Sequence, residues 1–161
     1  HTDSSAASDV YKRQIKDYGN LPLIECYPGQ LNQVFMNILA NAIDALEDSI
    51  QLGQLKERSP MISIKTAQID SEWITIQIAD NGPGIRPDIE ARLFEPFFTT
   101  KPASKGTGLG LSISYQIICE KHEGHLLCSS SEGKGTEFII KLPIIVPDNQ
   151  DLRRTTISSS G

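Results

Sequence analysis

Positive charge is in short supply. Fifteen Lys and Arg stand against 20 Asp and Glu, a formal net charge of −5, and no basic stripe appears anywhere along the chain. A nucleic-acid surface is therefore not expected, since such a surface needs clustered Lys and Arg. Cysteine is equally scarce: Cys26, Cys119 and Cys128 are odd in number and lack paired spacing, which excludes a disulfide framework and points to reduced thiols filling the core of a cytoplasmic protein. No window approaches the ~20 apolar residues that span a bilayer, so no direct membrane contact is expected of this segment, whatever anchors its parent. The histidines are three, and His122-Glu-Gly-His125 does not have zinc-site spacing; both are expected at the surface. Also missing are G-x-x-x-x-G-K-[ST] and G-x-G-x-x-G, which removes the P-loop and the Rossmann site from consideration.

What is present suffices for one domain. The 161 residues, 39% of them apolar, can enclose a single core. Residues 1–14 have no apolar period and are expected to be a non-native or disordered leader; 15–146 form the domain, and the polar 147–161 a disordered tail. Helical spacing predicts helices over about 30–52 and 108–122, with a short one near 87–94. In the first, Leu31, Val34, Phe35, Ile38, Leu39, Ala42, Ile43 and Leu46 make one apolar stripe. Strands are expected at Leu21–Cys26 and near 61–69, 72–80, 125–131 and 136–142, the later four as two hairpins around Asp70-Ser71 and Glu132–Gly135. The fold class is α/β, a two-layer sandwich with a mostly antiparallel, mixed sheet covered on one face by helices.

Three segments carry chemistry. In Asp80-Asn-Gly-Pro-Gly-Ile85 an acidic residue at a strand end precedes two glycines, so an acceptor sits where Gly82 and Gly84 let the backbone close on a flat ligand, although an ordinary Asx turn favours the same residues. Gly106-Thr-Gly-Leu-Gly-Leu111 opens a helix, and bare amides at a helix start suit phosphate oxygens. Lys101 and Lys105 lie just upstream. Asn37 and Asn41 are four apart, on one helix face, where two amide oxygens could hold magnesium or simply be solvated.

Taken in order, these segments resemble the ATP-binding catalytic domain of two-component sensor histidine kinases, within the gyrase, heat-shock chaperone, histidine kinase and mismatch-repair ATPase superfamily. Val34–Ala45 resembles the N box, Asp80–Ile85 the G1 box, Leu93–Lys101 the F box and Gly106–Leu111 the G2 box, while Gly133–Phe138 is similar to the closing strand. The resemblance spans roughly residues 20–145 and implies a Bergerat-type ATP-binding fold. It implies that Asp80 accepts from the adenine amino group, with Gly82, Gly84, Ile85 and Thr136 around the base. It implies that Asn41, with Asn37, binds Mg2+ and that Gly106, Thr107, Gly108, Leu109, Gly110 and Leu111 meet the phosphates. Lys101 or Lys105 would meet the terminal phosphate. Phe94, Phe97 and Phe98 would anchor a lid, or fill the core, as aromatics do without any ligand.

Two departures shape the functional expectation. Where the hydrolysing branches of the superfamily place a glutamate, this chain has Asn37, and an amide cannot serve as a general base. Phosphate transfer is thus favoured over hydrolysis, and Asn37, Asn41 and Lys101 are the expected catalytic set. Asp44, one turn beyond Asn41, is expected to face solvent, the alternative being a place near the metal. No segment here resembles the phosphoacceptor hairpin of the family. The expected function is a catalytic domain that binds Mg-ATP and passes the γ-phosphate to a histidine on a separate dimerisation hairpin, with a response-regulator receiver domain as downstream partner. A stand-alone superfamily ATPase and a non-catalytic nucleotide-sensing module are the alternatives.

Overall fold

The computed structural model describes residues 13–18, 21–22, 24–53, 59–98 and 109–144. Among them, five strands form one sheet in the order β1-β2-β3-β5-β4: β1 Arg13–Tyr18, β2 Met61–Gln68, β3 Trp73–Asp80, β4 His125–Ser131 and β5 Gly135–Pro143. β1 runs parallel to β2, and every other pair is antiparallel. The sheet is therefore mixed and mostly antiparallel, as expected. Helices α1 (Pro28–Gln51), α2 (Pro87–Glu90) and α3 (Gly110–Tyr115) accompany it, and α3 continues as a π-helical turn over Gln116–Lys121.

α1 begins with Pro at its first position and ends where Gly53 takes a left-handed φ of 69°. These are the residues that cost least at the two termini. Its buried face is Leu31, Val34, Ile38, Ala42, Leu46 and Ser49, spaced three and four apart. Ile43, expected in that stripe, faces outward and is 37% exposed. Against α1 lies the alternating face of the sheet, with Ile74 and Ile78 from β3, Phe138, Ile140 and Leu142 from β5, and Leu126 from β4 in one core with Ile117 and Ile118 of the π-helical turn.

The first strand differs from expectation. Leu21, Pro22 and Ile24–Cys26 are not in a strand, and the edge position is taken by β1, whose Arg13 and Gln14 pair with Met61 and Ile62. Those two residues lie inside the stretch assigned to a leader, since a parallel edge strand of polar composition has no period to betray it. His122 also departs from expectation. It is 7% exposed, held edge-on to Tyr27 with ring centroids 5.4 Å apart. Its Nε2 accepts from the Tyr27 N–H at 3.0 Å, while its Nδ1 meets the Ile117 carbonyl at 2.8 Å. The imidazole thereby ties the start of α1 to the end of the π-helical turn, across 95 residues of sequence. His125 is exposed as expected.

Candidate functional site

Asp80 is the last residue of β3 and stands opposite Thr136 of β5 in the ladder. Cross-strand partners of this kind have their Cβ atoms about 5 Å apart, so a carboxylate and a hydroxyl are brought together at the sheet rim. Burial pushes the Asp80 carboxyl up to about 6, against the opposing pull of the Gly82 and Thr136 backbone amides. The Gly82 N–H donates to Asp80 Oδ1 at 2.9 Å. A Cβ on Gly82 would lie 2.9 Å from that oxygen and 3.5 Å from the Ala45 Cβ. The turn after β3 is thus pressed against α1 one helical turn beyond Asn41, which joins two of the segments singled out in the sequence.

The glycines that follow are fixed by the β4–β5 hairpin. Gly84 has φ +77°, and a Cβ there would fall 2.2 Å from the Ser131 carbonyl oxygen; Gly135 has φ +130°, and its Cβ would fall 2.0 Å from the Asp80 carbonyl oxygen. The Gly133 N–H donates to the Pro83 carbonyl at 2.7 Å, and the Ile85 N–H donates to Ser130 Oγ at 2.7 Å. The Gly–Pro–Gly turn and the hairpin therefore form one wall beside Asp80.

The domain model for histidine kinase-, DNA gyrase B- and HSP90-like ATPases matches residues 26–145, which covers every element just described except β1. The chain belongs to that ATPase family. It is similar to sporulation kinase E of Bacillus subtilis, 44% identical over 125 residues that make up 78% of this chain and 15% of that protein. Sensor histidine kinase ZraS of Salmonella typhimurium is 35% identical over 149 residues, 90% of this chain and 29% of that protein. The chain thus spans less than a third of either curated relative. The nucleotide-free catalytic domain of histidine kinase ThkA has the same fold, with a TM-score of 0.65 at 30% identity over 81% of this chain and 79% of that one. Within the ATPase family, this is the ATP-binding catalytic domain of the sensor histidine kinase kind.

Other expected residues of the ATPase-family domain are distributed as follows. Asn37 reaches the start of α3, where its Nδ2 donates to the Gly110 carbonyl at 3.1 Å and to Ser114 Oγ at 3.2 Å. Its amide hydrogens are thus spent between the two helices, leaving the side-chain oxygen as the group a ligand could use. Leu109 precedes α3, and its carbonyl accepts from the Ile113 N–H and the Ser112 hydroxyl. Leu111 packs partly buried against the core. Lys101, Lys105, Gly106, Thr107 and Gly108 lie outside the described residues.

The three F-box phenylalanines separate. Phe94 stacks at 5.2 Å on Tyr115, and the Arg92 guanidinium lies 4.5 Å over the Phe98 ring. Phe97 has a left-handed φ of 64° and is 73% exposed. Asn81 and Ser130 escaped the sequence reading. Asn81 turns away from Asp80, taking the Met61 N–H on Oδ1 and donating to the Ser59 carbonyl, both at 2.8 Å; its place between Asp80 and the glycines could have suggested a turn lock. Cys128 packs partly buried against the core, as expected, and burial pushes its thiol up to about 12. Ser130, in a plain run of serines, carried no signal.

Proposed function

We propose that this domain binds Mg-ATP and presents the γ-phosphate to a histidine borne by a separate helical hairpin of its parent kinase. The observation that carries the reading is the Asp80–Thr136 pair, walled by the glycine turn and backed by α1 at Ala45. An acceptor pair at a buried rim suits an exocyclic amino group of a base, and an acid held partly neutral by burial gains a partner when that group arrives. Asp80 would take the adenine amino group, with Gly82, Gly84, Ile85 and Thr136 lining the base.

The donor set on α1 fits magnesium. Asn41 shares a helix face with Asn37, whose oxygen is left over once its amide hydrogens have gone to α3, and hard amide oxygens beside phosphates suit that ion. Among the described residues no cluster of His, Cys, Asp and Glu could hold a metal by itself; the phosphates would complete the coordination. Bound there, the ion would neutralise phosphate charge. Asn37 and Asn41 would orient it, and Gly108, Leu109 and Gly110 would offer backbone amides, with Lys101 or Lys105 at the terminal phosphate. Positioning and charge neutralisation then supply the rate enhancement. A response-regulator receiver domain would accept the phosphate in turn.

No described helix is long and apolar enough to cross a membrane. The experiment titrates the chain with ATP by calorimetry with and without Mg2+, then adds a separately made histidine-bearing helical hairpin and radiolabelled ATP. Magnesium-sensitive binding followed by label on the hairpin is the expected outcome. Rapid release of inorganic phosphate without the hairpin would favour the stand-alone ATPase, and binding with neither transfer nor hydrolysis the sensing module.

A further inference from the structure

Ser130 makes three contacts through one oxygen. Its Oγ accepts from the Ile85 N–H at 2.7 Å, donates to the Gly135 carbonyl at 3.1 Å and lies 3.2 Å from Thr136 Oγ1. A hydroxyl has one hydrogen and two lone pairs. The Gly135 carbonyl can only accept, so it takes the hydrogen; the Ile85 amide can only donate, so it takes one lone pair. The third contact is then settled by elimination. Thr136 must donate to the remaining lone pair, and with its only hydrogen spent it has nothing but acceptor capacity left.

We propose that Ser130 sets the polarity of the base-reading wall, by drawing the Thr136 hydroxyl hydrogen away from the pocket so that Thr136 joins Asp80 as a second acceptor. This rests on the nucleotide reading above and adds to it a residue that need not touch the nucleotide. Asp80 and Thr136 are ladder partners, so their acceptors stand side by side. A 6-aminopurine brings the N–H groups of its 6-amino substituent to them, whereas a 6-oxopurine puts a carbonyl oxygen in that place and carries its N–H on N1 instead, out of register with the pair. Refusal of the oxo base follows from leaving buried acceptors unpaired, a larger penalty than the gain from any one bond. The wall is rigid enough to enforce this. Gly84 and Gly135 let the turn and the hairpin approach within contact distance, and the Gly133-to-Pro83 bond closes the same seam.

ATP and ITP differ at the 6-position in the way the argument requires, so their affinities for the full chain, measured by calorimetry with Mg2+, form the readout. The ratio of the two affinities should fall at least about tenfold in Ser130→Ala, where Thr136 regains a hydrogen it can donate to an oxo group. Ser130→Thr, which keeps the hydroxyl, should restore it, and Thr136→Val should weaken ATP without helping ITP. In the nucleotide-free chain, hydrogen exchange at the Ile85 amide should accelerate in Ser130→Ala. An unmoved ATP:ITP ratio in a folded Ser130→Ala chain, or an Ile85 amide that exchanges at the same rate, overturns the proposal while leaving ATP binding intact. A native chain that binds neither nucleotide overturns the nucleotide reading and this proposal together.

Discussion

At the scale of single residues, Asp80 trades stability for recognition. Its carboxyl is raised to about 6 by burial, so the unfolded chain, with a carboxyl near 4, loses its proton first. Below pH ~4 both states are protonated and the residue is neutral in the balance. Between pH ~4 and 6 the folded state holds a proton that the unfolded chain has lost, so stability falls, and above 6 the full cost of the buried charge, about 3 kcal/mol, is in place. The nucleotide-free domain should therefore resist urea better at pH 5 than at pH 7.5 as far as this residue is concerned, opposite to the usual carboxylate. Asp80→Asn should remove that slope and stabilise the empty domain at pH 7.5. The same variant should bind ATP about 1.5–3 kcal/mol more weakly, the worth of a charge-assisted bond. A variant that is neither more stable nor weaker in binding would show that the charge is not confined as described.

Gly84 is the second residue whose identity is forced. A Cβ there meets the Ser131 carbonyl at 2.2 Å with φ at +77°, and the neighbour is backbone that cannot swing aside. Gly84→Ala should lower the urea midpoint, by more than the ~1 kcal/mol that left-handed backbone alone costs an L-residue. Gly29, with open space around it, is the control, and its Ala variant should leave the midpoint within about 0.5 kcal/mol.

At the scale of elements, the start of α1 depends on a side chain 95 residues away. No side chain caps that end; instead the Tyr27 N–H is satisfied by His122. His122→Phe keeps the edge-on ring contact but strands a backbone donor, and should cost about 1–3 kcal/mol by urea unfolding. If α1 could satisfy that N–H from water, the loss would vanish. The elements differ in how plainly the sequence announces them. β3 and α1 stand out because their apolar residues repeat at two and at three-to-four, so the Asp80 rim and the Asn37–Asn41 face could be placed without coordinates. β1 could not, since parallel pairing at an edge leaves no alternation in a polar segment. Nor could His122 or Ser130, whose roles arise from partners distant in sequence or from a proton count at one oxygen. The π-helical end of α3 was equally hidden: its i to i+5 bond from the His122 N–H to the Ile117 carbonyl goes with a His122 ring that the distant Tyr27 N–H holds in place, a tertiary circumstance.

At the scale of the whole molecule, the sheet is two hairpins joined through one ladder, with β1 added in parallel at the β2 edge. β2 and β3 are consecutive, β4 and β5 are consecutive, and β3 pairs with β5 along its full length, from Trp73 opposite Pro143 to Asp80 opposite Thr136. Each half brings fully buried side chains to a common core: Val34, Ile38 and Leu46 from the first, Ile118, Ile140 and Leu142 from the second. The ladder and the shared core join these halves without a covalent bond. Two separately made pieces, 1–98 and 99–161, should therefore reassociate into the native sheet when mixed, detected by coelution and by recovery of the amide protection of Ile76 and Ile140. Failure of the pieces to associate at micromolar concentration would mean that the tether is needed to offset the entropy of bringing them together. Success would make this domain a split reporter, its ends brought to a nucleotide by whatever two proteins carry them.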